Sequence, residues 1–122
     1  MEMSFASDAS SQLVRCKVSG PPSIDEAERL LQEFAAQCSG RTESLLLIDL
    51  LGVVGDLGTT EQFILGQSSV LAFRQFRKVA VVQQGEGNRG FGALVANNRG
   101  LNLMLFDSEP PAIEWLLQPQ GA

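Results

Sequence analysis

The side chains and glycines that could do chemistry fall into two groups. The first is Gly85-x-Gly87-x-x-Gly90, placed just after the apolar run 78–82, with Asp107 closing the next apolar run 22 positions after Gly85. In a dinucleotide-binding turn the first glycine allows the tight bend, the second lets backbone N–H groups approach a pyrophosphate, and the third lets helix pack on sheet. An acidic residue about 20 positions on binds the ribose. The second group is Asp49, Asp56, Gly58, Thr59 and Thr60, at the end of a buried-looking strand and in the glycine-punctuated stretch that follows it. This is where open α/β sheets place their binding sites.

The nucleotide reading is the weaker one. Gln83 and Gln84 separate the strand from Gly85, which lengthens the turn beyond the fingerprint. Gly90 and Gly92 fall in a helix of about ten residues and each costs it roughly 1 kcal/mol relative to alanine. Only 15 residues follow Asp107, so the second half of a dinucleotide domain is missing. A loop that opens a short helix accounts for the same glycines, and a titration with nicotinamide and adenine nucleotides separates the two readings.

Composition narrows the rest. Histidine is absent, which removes the commonest neutral-pH general base and the commonest metal ligand. Neither a Ser-His-Asp nor a Cys-His site can be built. Zinc would need two cysteines plus carboxylates, an improbable donor set, so neither metal nor cofactor is expected. Asp49 and Asp56 alone are too little for an enzyme. A receiver-type phosphoacceptor role for Asp49 is also poor, because the first strand ends Val18-Ser19-Gly20 with no acid to hold magnesium. Nine basic residues face 14 acidic ones, a net charge of −5. That balance disfavours nucleic acid and anionic membrane surfaces, which call for a basic face.

Cys16 alternates with Val14 and Val18 on one strand face, and Cys38 continues the helical stripe Ile24, Ala27, Leu31, Phe34. Both read as small core residues in a reducing compartment. The polar residues 1–11 lack the basic start of a signal peptide. No apolar run approaches the ~18 residues of a membrane span. A cytoplasmic protein is therefore expected.

The elements that must position these groups follow from periodicity and punctuation. The 122 residues suit one domain, with residues 1–11 either a loose arm or the first strand of a hairpin. Residues 13–18 alternate as a half-buried strand does. Ser23 and Glu26 form a capping box, and a helix runs to about Cys38. Residues 45–51 are nearly all apolar, as in a central strand covered on both faces. Thr59 and Gln62 read as a second capping box for a helix to about Gln75, with Phe63, Gly66, Val70 and Phe73 on its buried stripe and Ile64 and Leu71 beside it. Arg74, Arg77 and Lys78 complement the negative pole of that helix. Then come a strand at 78–82, a short helix carrying Phe91, Leu94 and Val95, a strand at 101–106, and a helix at 108–117 with prolines in its first turn. Strands alternating with helices predict a mixed, mainly parallel sheet of four to five strands with helices packed on it.

With the elements placed, the second half resembles the STAS/SpoIIAA-like proteins. The similarity is carried by Arg77-Lys-Val-Ala-Val-Val-Gln-Gln84 and by the stretch 97–116, where Gly100-Leu-Asn-x-x-x-Phe106 and Trp115-Leu116 match the family's pattern. Residues 45–55 resemble its central strand and Asp. The resemblance implies a non-enzymatic regulatory domain. In the anti-sigma-factor antagonists of that family, a partner binds the loop and helix after the central strand, and phosphorylation of a serine following an Asp switches binding. Asp56 matches that Asp, but Leu57 stands where the serine would be. Thr59 or Thr60 is the alternative acceptor, against the simpler reading that Thr59 caps the helix. The expected partner is a protein, such as a regulatory kinase or an anti-sigma-like factor. A homodimer through a free edge strand stays open. A related branch of the wider fold shares features with lipid-transfer domains, so the second functional reading is a small-ligand (lipid or nucleotide) binding protein whose helix stripes line a pocket instead of a plain core.

Overall fold

The structure is a computed structural model that describes residues 1–8, 10–84 and 91–119. Nine elements follow one another: β1 (Glu2–Asp8), β2 (Leu13–Gly20), α1 (Ile24–Cys38), β3 (Leu45–Val53), α2 (Thr59–Phe73), β4 (Lys78–Val82), α3 (Phe91–Asn98), β5 (Leu103–Phe106) and α4 (Glu109–Leu117). The strands form one sheet in the order β1-β2-β3-β4-β5. β1 pairs antiparallel with β2, and every other pair is parallel. Residues 1–8 are thus the first strand of a hairpin and not a loose arm. At the hairpin turn Asp8 accepts hydrogen bonds from the Ser10 hydroxyl (2.7 Å) and backbone N–H (3.0 Å), which together with Ser11 hold its carboxyl below the usual range.

The two faces of the sheet are covered unequally. Alternate residues of a strand face opposite sides. Val14, Cys16 and Val18 of β2, Leu46 and Ile48 of β3, and Val79 and Val81 of β4 pack under α1, α2 and α3. Among the described residues, Leu45, Leu47, Ala80 and Val82 pack under α4 alone, against Ala112 and Leu116. A strand covered on both faces must be apolar at every position. β4 is buried throughout and meets this from Val79 to Val82, after Lys78, and β3 does so from Leu45 to Ile48. At the centre of the larger core Phe34 meets Phe73 edge to face, with ring centroids 5.4 Å apart, and lies 5.9 Å from Phe76 and 6.0 Å from Phe5.

Several local details differ from the sequence reading. The buried residues of α1 are Ala27, Leu30, Phe34 and Cys38, so Leu30 takes the place given to Leu31. Ser23 caps α1 by accepting from the Glu26 N–H, but the Glu26 carboxylate turns to the Met1 ammonium, 3.1 Å away, instead of back to Ser23. The residue that caps α2 is Gly58, not Thr59: the Gly58 N–H donates to Glu61 Oε1 at 3.0 Å, and the Gln62 N–H donates to the Gly58 carbonyl at 2.9 Å. The capping pair is shifted one residue toward the N-terminus of Thr59/Gln62. The buried face of α2 is Gln62, Gly66, Ser69, Ala72 and Phe73, while Phe63, Ile64 and Leu71 are exposed. Lys78 belongs to β4 and caps α4, with Nζ donating to the carbonyls of Trp115 (2.7 Å) and Gln118 (3.2 Å). It therefore leaves the end of α2 alone. Leu101 is a buried core residue ahead of β5, which begins at Leu103.

Candidate functional site

The parallel strands β2, β3 and β4 all end on the same edge of the sheet, and their loops meet there. Gly55 makes this possible. It has φ +112°, and a Cβ on it would lie 3.3 Å from Pro22 Cδ in the loop after β2. Only glycine combines that backbone with that contact cheaply. Beyond Gly55 the chain passes Asp56 and Leu57 to Gly58, where α2 starts. The Gln62 side chain reaches back to donate to the Leu57 carbonyl at 3.0 Å. The loop is thus pinned at Gly55 and at Leu57, with Val54 standing out between strand and loop at 78% exposure.

Of the residues singled out from sequence, Asp56, Gly58, Thr59 and Thr60 do come together, all exposed, at the start of α2. Asp49 does not join them. It lies on the α4 side of the sheet, in register with Lys17 of β2, and its carboxylate accepts from the Leu51 N–H at 2.8 Å. The alternation of β3 turns Asp49 to the α4 face, whereas Asp56 lies on the rim of the space between the sheet and the other three helices. Asp107 is exposed just after β5, one strand beyond β4 on the same edge. Gly85, Gly87 and Gly90 lie outside the described residues. Among the described residues no group of three or more Cys, Asp and Glu is placed to hold a metal.

Two features escaped the sequence reading. One is the apolar surface of α2: Phe63, Ile64 and Leu71 are exposed, Leu71 at 71%, as is Val54 in the loop ahead of the helix, and the Arg99 guanidinium lies 5.4 Å from the Phe63 ring centroid. The signal was present, since Glu61 is the one charged residue in the 15 of α2. A helix with so little charge on any side is ordinarily covered over most of its surface. The other feature is a cavity of about 230 Å³ between the sheet and α1, α2 and α3. Its floor includes Cys16, Ile48 and Val81, its roof Leu30, Phe34 and Leu65, and its rim the exposed Gly55 and Asp56 with Leu57 beside them. Burial pushes the Cys16 thiol in its floor up to about 12 and raises the Cys38 thiol as well, so both cysteines are inert core groups.

With this geometry in hand the class is plain: an open α/β sheet of one antiparallel and three parallel pairs, three helices on one face and one on the other, is the SpoIIAA-like fold. Among solved structures the chain is similar to an anti-sigma factor antagonist from Mycobacterium paratuberculosis, with a TM-score of 0.64 at 18% identity over 96% of each chain. It is also similar to an uncharacterized DUF3478-family protein with a SpoIIAA-like fold from Shewanella loihica PV-4, with a TM-score of 0.59 at 20% identity over 94% of this chain and 92% of that one. No family model and no curated protein matches the sequence. Among the described residues no helix is long and apolar enough to cross a membrane.

Proposed function

We propose that this chain is a non-enzymatic regulatory domain that docks a partner protein through the loop after β3 and the outer face of α2. One observation carries the reading: Val54, Ile64 and Leu71, with Phe63 beside the Arg99 guanidinium, expose apolar side chains along a single loop and helix, and α2 itself carries one charged residue. Contiguous exposed apolar surface rimmed by polar groups marks interaction sites. Asp56 and Glu61 lie at its edge, so the complementary partner surface is apolar with basic residues around it. The likeness to an anti-sigma factor antagonist supports a regulatory protein of the anti-sigma class as that partner. Phosphorylation of Thr59 or Thr60, exposed at the start of α2, would add about two negative charges beside this surface and switch docking by repelling or recruiting basic residues.

The test is affinity capture of a partner from the source cell, followed by titration of the purified pair. Val54→Asp and Ile64→Asp are expected to weaken binding at least 100-fold while thermal stability changes little. Equal binding by wild type and both variants, or enzymatic turnover of the captured molecule by this chain, would refute the reading.

A further inference from the structure

We infer that the cavity beneath the docking loop is a binding site for an aliphatic molecule without a negative charge, and that its occupancy sets the conformation of that loop. Three observations converge. The first is size. An apolar cavity of about 150 Å³ accepts benzene, a six-carbon ligand; in proportion the 230 Å³ here corresponds to a chain of about nine carbons.

The second is chemistry. The two polar side chains in the helical wall are already satisfied, Gln62 through the Leu57 carbonyl and Ser69 through the Gly66 carbonyl. Among the described lining residues there is neither Lys nor Arg, and the one ionisable carboxyl is that of Asp56 on the rim. The Met1 ammonium, whose residue also lines the cavity, is occupied by Glu26 at 3.1 Å. Among the described lining residues a carboxylate or phosphate head finds no free cation and faces Asp56, so its burial would be penalised. A hydroxyl or amide head can sit at the wet rim without that penalty.

The third is connection. Val53, Gly55, Asp56 and Leu57 line the cavity, while Val54, between them, points to solvent in the proposed docking surface. Filling the cavity displaces Leu57 and, through the short pinned segment, reorients Val54. A ligand that distinguishes two loop positions shifts their populations and hence partner affinity. Only this last consequence rests on the docking reading; ligand binding and the loop response do not.

Methyl- and amide-detected NMR titration of the full chain with 1-octanol and, separately, octanoate provides the test. Octanol is expected to give saturable shifts at the methyls of Leu30, Ile48 and Val81 and at the amides of Val54 and Leu57, with octanoate binding at least tenfold more weakly. Ala27→Leu, which adds bulk from the cavity wall, should lower octanol affinity at least tenfold with the fold retained, and Asp56→Asn should raise octanoate affinity several-fold. No saturable cavity shift with octanol, or octanoate binding as tightly as octanol, overturns the site. Cavity shifts without loop shifts overturn the coupling. A failed partner capture with these shifts intact would count against the docking reading and leave the site standing.

Discussion

The Lys78 ammonium lies 2.7 Å from the Trp115 carbonyl oxygen and 5.1 Å from the centroid of the Trp115 indole ring. One cation therefore caps the last turn of α4 and stacks on its main aromatic residue. Lys78 is 7% exposed, so its charge is tolerated only because carbonyls and ring replace water. Among the described residues α4 alone covers its face of the sheet, and this contact fixes its end to β4. Lys78→Met keeps the aliphatic stem but leaves the carbonyls of Trp115 and Gln118 without their donor. It should destabilise the fold by about 1–3 kcal/mol in urea denaturation. A midpoint equal to wild type would show that water replaces the ammonium at no cost.

Gly66 is the point of closest approach between α2 and α3. A Cβ there would lie 2.7 Å from the Gly92 carbonyl oxygen and 2.9 Å from Val95 Cβ. One of these is backbone and the other a β-carbon, so neither can swing aside. Gly66→Ala gains up to about 1 kcal/mol in helix propensity, yet overpacking costs typically 1–3 kcal/mol, so net destabilisation is expected. Gly58→Ala is the contrast. Its Cβ would meet only Glu61 Oε1 at 3.5 Å, and thermal melts should place it within a few degrees of wild type.

These two sites show which parts of the structure the sequence made legible. Helices and strands were readable because periodicity and caps are local: β2 through β5 and all four helices appear where the pattern placed them, within a few residues. The buried face of α2 was readable only in part: Gly66 and Phe73 are buried as the stripe placed them, while Phe63 is exposed. Small and polar residues are spread around α2, so periodicity gives little direction, and Gln62, Ser69 and Ala72 complete the buried face in place of the large Phe63 the pattern favoured. Lys78 was misplaced for a related reason. It follows α2 in sequence, but the alternation of β4 turns its side chain to the opposite face, under α4. The docking loop could be located from its glycines, whereas the cavity is a remainder of packing among four distant segments and leaves no mark in any one of them.

Both sheet edges are guarded, by different means. At β5 the Asn97 side chain satisfies the outward groups of Leu103, its amide donating to the carbonyl at 2.9 Å and its oxygen accepting from the N–H at 2.8 Å. This is how a short edge strand avoids recruiting another chain. At β1 a symmetric antiparallel pairing centred on Phe5 would set Glu2 opposite Asp8 of a second copy, and like charges so placed are destabilising. Wild type should therefore be monomeric by light scattering at micromolar concentrations. Asn97→Ala should lose about 1–2 kcal/mol of stability and self-associate more readily. A stable wild-type dimer would mean that one of these edges is in use.

The buried thiol of Cys16 makes a prediction about alkaline pH. Desolvation, with a smaller contribution from the nearby Cys38, holds the thiol protonated to about 12, whereas in the unfolded chain it ionises near 8.5. The folded value is raised, so the stabilisation is complete below the unfolded value and is lost as pH rises toward the folded one. Between about pH 9 and 12 the native state holds a proton that the unfolded state has released, and stability falls by up to about 1.4 kcal/mol per pH unit from this group. Cys16→Val fills similar space without the titration. The wild-type curve of unfolding free energy against pH should therefore drop more steeply than that of Cys16→Val above pH 9, and the two should run parallel below pH 8. Parallel curves across the whole range would mean that the thiol gains access to water in the folded protein, which the cavity above it could provide if water fills it. The comparison thus also reports whether the cavity floor is dry.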